Sequence, residues 1–168
     1  MVGSLLMDRQ PEFKVEYPKQ PVTVLIAAWN EEKNIGDTLR QLAKQDYEGD
    51  IRIILIDNNC TDDTVEVADQ VAKELGLSMQ VVTEKKAGKN YALNTALSYV
   101  ETELMITLDA DTLLHTSAIR FIVCRMMSAP EDVCAVAGAI LVRNSRQKKA
   151  ADRSVAFSWY LFIRRTHL

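Results

Sequence analysis

Three cysteines, two histidines and no apolar run of membrane-spanning length remove several function classes before any motif is considered. Cys60, Cys124 and Cys134 are odd in number, widely spaced and without a CxxC pair, so neither a disulfide framework nor a zinc site is indicated. A reducing, cytoplasmic setting fits them. His115 and His167 lie far apart with no serine or cysteine elbow, which leaves a hydrolase triad without support. GxGxxG is absent, as is GxxxxGK[ST], so neither a dinucleotide fingerprint nor a P-loop is present. The longest clean apolar stretch, Cys134 to Val142, falls well below the ~20 residues a bilayer-spanning helix needs. At the start, only Leu5-Leu6-Met7 precedes Asp8 and Arg9, too little for the core of a signal peptide. There is no internal repeat and no low-complexity segment.

What remains is a chain of 168 residues, 48% hydrophobic and 26% charged, the composition of one soluble globular domain. The net charge of −3 hides an asymmetry: Arg143 to Leu168 carries seven basic residues and one acid, a tail of +6 against −9 elsewhere. Such a tail suits phosphates, an anionic membrane surface or a simple solvated face, and the acidic remainder argues against nucleic acid. Three prolines, Pro11, Pro18 and Pro21, punctuate a polar lead-in over 1–20, which leaves 21–142 as the folded unit and 143–168 as a basic, aromatic tail.

Within that unit, apolar runs alternate with helical stripes. Val22 to Ala28, Ile51 to Ile56, Met79 to Thr83, Leu104 to Leu108 and Val133 to Val142 read as strands. Between them come Ile35, Leu39 and Leu42, with Asn30 as cap and Glu31 and Glu32 in the first turn, then Val65, Ala68, Ala72 and Leu75, capped by Thr61 and ended by Gly76. Leu93, Ala96, Leu97 and Val100, and later Ile119, Ile122, Val123 and Met126, supply two more stripes. This alternation predicts an α/β fold, a mostly parallel sheet with helices on both faces. Ala150 to Arg165, apolar nearly all round, reads as a helix that docks on a membrane surface, packs in the core or contacts a segment beyond the chain.

In a parallel sheet, ligands bind beyond the carboxyl ends of the strands. Three such ends are polar here: Trp29-Asn30-Glu31, Asp57 to Asp62, and Asp109-Ala110-Asp111. An apolar strand that stops at two acids places carboxylates in a crevice, where they suit Mg²⁺ or Mn²⁺ carrying a diphosphate. Gly88 and Lys89 open a helix and present amides and a cation to an anion. Asp57 either accepts a hydrogen bond from a base or ribose or caps the loop that follows it. Trp29 either stacks on a base or packs in the core.

Val24 to Glu32, Ile56 to Thr64, Gly88 to Asn94 and Leu108 to Thr112, in that order, resemble the family-two inverting glycosyltransferases with the GT-A (Rossmann-like) fold. Arg143 to Arg165 more weakly resembles the poly-N-acetylglucosamine, chitin and cellulose synthase-like group. By that resemblance Ala28, Trp29, Glu31, Asp57 and Asn58 line the pocket of a nucleotide-sugar donor, a UDP-sugar, with Lys89 close by, and Asp109 and Asp111 hold the metal. The acceptor would be a glycan or a lipid-linked acceptor, with the chain at the inner face of a membrane as part of a longer protein. The family has Pro, Tyr and a second Asp where Ala27, Trp29 and Asn58 stand, and Asn58 loses a charge. Its catalytic base, an Asp in a downstream acidic motif, falls beyond Leu168. The competing readings are a sugar-phosphate nucleotidyltransferase, for which the loop Trp29 to Lys33 lacks glycine and arginine, and a non-catalytic membrane-docking module.

Overall fold

The computed structural model describes residues 13–138 together with the backbone of Phe162–Arg165. Strand β1 (Val22–Ala28) is a continuous apolar run rich in β-branched residues, as befits a strand covered on both faces. Val22, Val24, Ile26 and Ala28 pack into one core cluster, Leu25 and Ala27 into a second on the opposite face. β2 (Ile51–Asp57) pairs parallel to β1 on one side, with β3 (Ser78–Thr83) parallel beyond it, and β4 (Leu104–Asp109) pairs parallel to β1 on the other. Helices α1 (Ile35–Ala43), α2 (Thr64–Leu75) and α4 (Ala118–Ser128) cover the first face, while α3 (Lys89–Leu97) covers the second through Ala92 and Ala96. Ile26, Leu55 and Ile106 expose no surface at all, and burial of each such side chain is worth ~1.5–3 kcal/mol.

The sheet order is β3-β2-β1-β4-β6-β5, with β5 at Ala135–Ala137 and β6 at Phe162–Arg165. The chain winds outward from β1 to β3 and then returns to lay β4 on the far side of β1. At that reversal the crossover through α3 passes on the face opposite α1, α2 and α4, and the carboxyl ends of such strands are where a parallel sheet receives ligands.

Several expectations are corrected. The part of Ala150 to Arg165 that is described is not helical: Phe162–Arg165 is a strand, antiparallel to both β4 and β5. An apolar run without clear period does not separate helix from strand. The outer edge of β4 decides it, because its backbone groups require partners. Residues 150–161 and the lead-in 1–12 lie outside the described residues. The strand read over Val133 to Val142 contracts to Ala135–Ala137 and runs antiparallel to β6; residues 139–142 are outside the described set.

The helix starts also move. Asn30 does not cap α1, whose N-cap is Asn34, four residues later, and a tight turn intervenes in which the Glu31 carbonyl accepts the amides of Asn34 and Ile35. Glu31 and Glu32 therefore precede the first helical turn. Thr61 does not cap α2, whose N-cap is Asp63, whereas Gly76 closes that helix in the left-handed region as expected. Leu75 and Leu97, assigned to buried stripes, remain exposed at their helix ends, and Val71 takes the buried place in α2.

Candidate functional site

Strand register fixes the frame. Ala28 stands opposite Asp57, Ala27 opposite Asp109, and Asp57 opposite Thr83, so the ends of four neighbouring strands are level. The residues singled out in the sequence are thereby gathered on one edge of the sheet.

The loops after β1 and β2 are stitched to each other. The Asn58 amide donates to the Ala28 carbonyl at 3.0 Å, the Glu31 amide to the Thr64 hydroxyl at 2.8 Å, and the Thr61 amide to the Asn30 side-chain carbonyl at 2.8 Å. Asn30 and Asn59 adopt φ of 57° and 65°, a left-handed conformation that asparagine tolerates better than most side chains. Asn30, expected as a helix cap, thus serves as a clasp between two loops. Asp57 accepts the Cys60 amide at 2.9 Å, so the loop-capping role is observed, and its carboxylate retains capacity for further donors. The Glu31 carboxylate accepts the Asn34 side-chain amide at 2.8 Å. Ala28 is buried, while Trp29 is 68% exposed and does not pack in the core. The Thr64 hydroxyl holds the Asp62 carboxyl below the usual carboxylate range. Burial pushes the Cys60 thiol up, which keeps it protonated and unsuited to nucleophilic work.

Across β2, Asn58 reaches the loop between β3 and α3. Its side-chain NH₂ donates to the carbonyls of Glu84 at 2.9 Å and Lys86 at 2.8 Å, and its carbonyl accepts the Gly88 amide at 2.8 Å. Gly88 is the N-cap of α3 with φ of 129°, and a Cβ there would approach the Asn90 side-chain oxygen to 3.0 Å, so only glycine fits. The Glu84 carboxylate accepts the Lys86 amide at 2.6 Å and the Thr95 hydroxyl, which hold its carboxyl below the usual range. The Lys86 ammonium sits 3.7 Å from the centre of the Tyr91 ring.

The acidic turn is held differently. Thr38, fully buried on α1, donates its hydroxyl to the Ala110 carbonyl at 2.7 Å, with the Thr112 carbonyl at 3.2 Å. The Lys89 ammonium forms an ion pair with Asp109, whose side chain is 20% exposed. Asp111 is exposed. Among the described residues no group of three or more His, Cys, Asp or Glu side chains is placed to hold a metal ion. Two carboxylates at a strand end still fit Mg²⁺ or Mn²⁺, which complete their shells with water and substrate phosphates rather than with protein alone.

Sequence reasoning missed Thr38 and the Glu84–Thr95 contact. Thr38 had a signal: it lies three residues after Ile35, a hydroxyl on an otherwise apolar stripe. Glu84 and Thr95 had none, since eleven residues and a turn separate them.

Residues 23–167 match the family description Glycosyl transferase family 2. The chain is 30% identical over 142 residues to the beta-monoglucosyldiacylglycerol synthase of Synechocystis sp., covering 82% of this chain and 28% of that protein. It is 28% identical over 138 residues to the poly-beta-1,6-N-acetyl-D-glucosamine synthase of Staphylococcus aureus, covering 82% of this chain and 32% of that protein. The mannosyltransferase PcManGT of Pyrobaculum calidifontis, solved with GDP-Man and Mn²⁺, superposes with a TM-score of 0.72 at 24% identity, over 94% of this chain and 48% of that one. The chain thus spans less than a third of the length of these two curated relatives and about half of the solved structure. The shared architecture is the α/β GT-A fold expected from the sequence.

Proposed function

The chain belongs to glycosyl transferase family 2, and from that membership we propose that it forms the donor-binding part of a metal-dependent, inverting glycosyltransferase that uses a UDP-sugar. The observation that supports the reading is the level row of strand ends, which brings Asp57, Lys89 and Asp109 to one edge of the sheet although 52 positions separate the first from the last.

In this reading Ala28, Trp29, Glu31 and Asp57 receive the nucleoside. Ala28 is itself buried and marks the floor through its carbonyl, which accepts the Asn58 amide, while Trp29 offers an exposed ring face and Asp57 keeps acceptor capacity for a base or ribose donor. Lys89 faces the diphosphate and already stands against Asp109. Asp109 and Asp111 would hold Mg²⁺ or Mn²⁺, which when bound neutralises charge on the departing diphosphate. The acceptor hydroxyl oxygen forms a bond to the anomeric carbon as the bond to the diphosphate oxygen breaks. The nucleoside diphosphate leaves with the electron pair, and the hydroxyl proton passes to a general base that we place outside these 168 residues. The acceptor is a glycan or a lipid-linked molecule at a cytoplasmic membrane face. No helix among the described residues is long and apolar enough to cross a membrane.

Support comes from the family match and from the solved relative, which holds a nucleotide sugar together with Mn²⁺. Because that donor is GDP-Man, the test sets UDP against GDP. Calorimetry is expected to show Mn²⁺-dependent binding of UDP in preference to GDP. Asp111→Ala should weaken it by roughly 100-fold, the loss that follows from removing one partner of a charged contact. No binding at millimolar nucleotide, or an unchanged affinity in Asp111→Ala, overturns the reading.

A further inference from the structure

We propose that Asn58 is a positioning residue: its amide locks the loop from Glu84 to Gly88 to the end of β2, and through Gly88 aims Lys89 at the acidic turn. This deepens the donor-site reading above and rests on it for the ligand, though not for the loop. It also moves Asn58 from the set that contacts the nucleotide to the set that shapes its pocket.

The side chain is 6% exposed, and both its polar atoms are engaged within the protein. Two of its three bonds are donated, to the Glu84 and Lys86 carbonyls, and the third is accepted from the Gly88 amide. Asparagine supplies that mixture of donors and acceptor; an ionised aspartate supplies acceptors alone and would set its charge against two carbonyl oxygens. The asparagine that departs from the family pattern by losing a charge is therefore matched to a different task. Its own backbone amide is bound to Ala28, so the side chain departs from a fixed point on the sheet.

The chain of consequence is short. Gly88 is the N-cap of α3, and its carbonyl accepts the amides of Tyr91 and Ala92 at 3.0 and 3.1 Å. Holding the Gly88 amide thus sets where α3 begins, and the first residue of α3 is Lys89, which pairs with Asp109 on the far side of β1. Asn58 spans β2 and α3, and Lys89 spans α3 and β4, so one buried amide governs the distance between the two halves of the crevice.

Amide exchange at Gly88, measured without ligand in the wild type, Asn58→Asp and Asn58→Leu, reads the loop independently of nucleotide. Both variants are expected to release the Gly88 amide by roughly tenfold or more, Asn58→Leu by removing its acceptor and Asn58→Asp by losing both donated bonds and setting a charge against the Glu84 and Lys86 carbonyls, which drives the loop off, while amides of β1 and β4 stay protected. Asn58→Asp should regain protection as pH falls, because a protonated carboxyl donates one bond, whereas Asn58→Leu should not. Those strand amides report whether the fold survives, and the pH response separates positioning from bulk. In parallel, UDP affinity with Mn²⁺ should drop by roughly tenfold in Asn58→Leu, with little further loss when Lys89→Ala is added. Unchanged Gly88 exchange in Asn58→Leu, which removes the acceptor altogether, overturns the inference even if the wild type binds UDP. A loosened loop with undiminished UDP affinity overturns it as well. A loosened loop in a protein whose wild type binds no UDP supports the positioning role and rejects the donor-site reading.

Discussion

The loops after β1 and β2 hold each other through the amides of Asn58, Glu31 and Thr61, whereas the turn at Asp109 to Thr112 is tied by one hydroxyl from α1 and one ammonium from α3. The first region is built by the protein for itself, with left-handed asparagines and a buried threonine fixing its shape before any ligand arrives. The second keeps its two carboxylates on a short turn, and Lys89 pairs with one of them, Asp109. Under the proposed function this division has a reason. A nucleoside is recognised by shape and hydrogen bonds, which rewards rigidity, while a metal diphosphate brings its own charges and needs groups that exchange partners on its arrival.

The comparison can be broken from beneath both regions at once. Ile106→Ala empties a fully buried position in β4 and should cost about 2–5 kcal/mol in denaturant unfolding, with both regions failing together. Thr38→Val is more selective. It leaves the buried Ala110 carbonyl without its donor, about 1–3 kcal/mol of stability, and should weaken Mn²⁺-dependent UDP binding more than binding without metal. An equal loss in both conditions would erase the distinction between the two regions. Trp29→Ala probes the opposite side: removing a ring that is 68% exposed should change stability by less than about 0.5 kcal/mol, yet lower UDP affinity by about 1–2 kcal/mol of stacking, read by calorimetry.

The smallest effect is a pH response. The Thr95 hydroxyl and the Lys86 amide hold the Glu84 carboxyl below its ordinary range. A depressed carboxyl contributes order that is present above its unfolded value, about 4.3, and is lost as pH falls through the lower folded value. Protection of the Lys86 amide should therefore fall only in acid, below the ordinary glutamate range, and Glu84→Gln should flatten that response.

The same two regions show what the sequence made readable. The strands around β1 were evident because a strand buried on both faces is an unbroken apolar run, and the acids at the end of β4 stood out because a core strand cannot carry them inward. Ile119, Ile122, Val123 and Met126 were correctly read as one buried face of α4. The loops were harder. Asn30 and Thr61 resemble helix caps locally, and only the fold brings them together, where bonding to each other displaces the capping role. Phe162–Arg165 failed for a related reason: its conformation follows from the edge of a strand nearly sixty residues earlier, which no local period records. Asn58 shows the limit from the other direction, since comparison with a family pattern read it as a missing charge, while its neighbours reveal a need for donors.

The antiparallel flank has a consequence for how the protein is made. Leu104 pairs with Arg165, so a ribosome that has just released β4 holds a sheet with one unsatisfied border until Phe162–Arg165 has also emerged. Such an exposed border is a template for stray pairing. Slow translation between these segments would lengthen the exposure, and a chaperone that shields strand borders would shorten it.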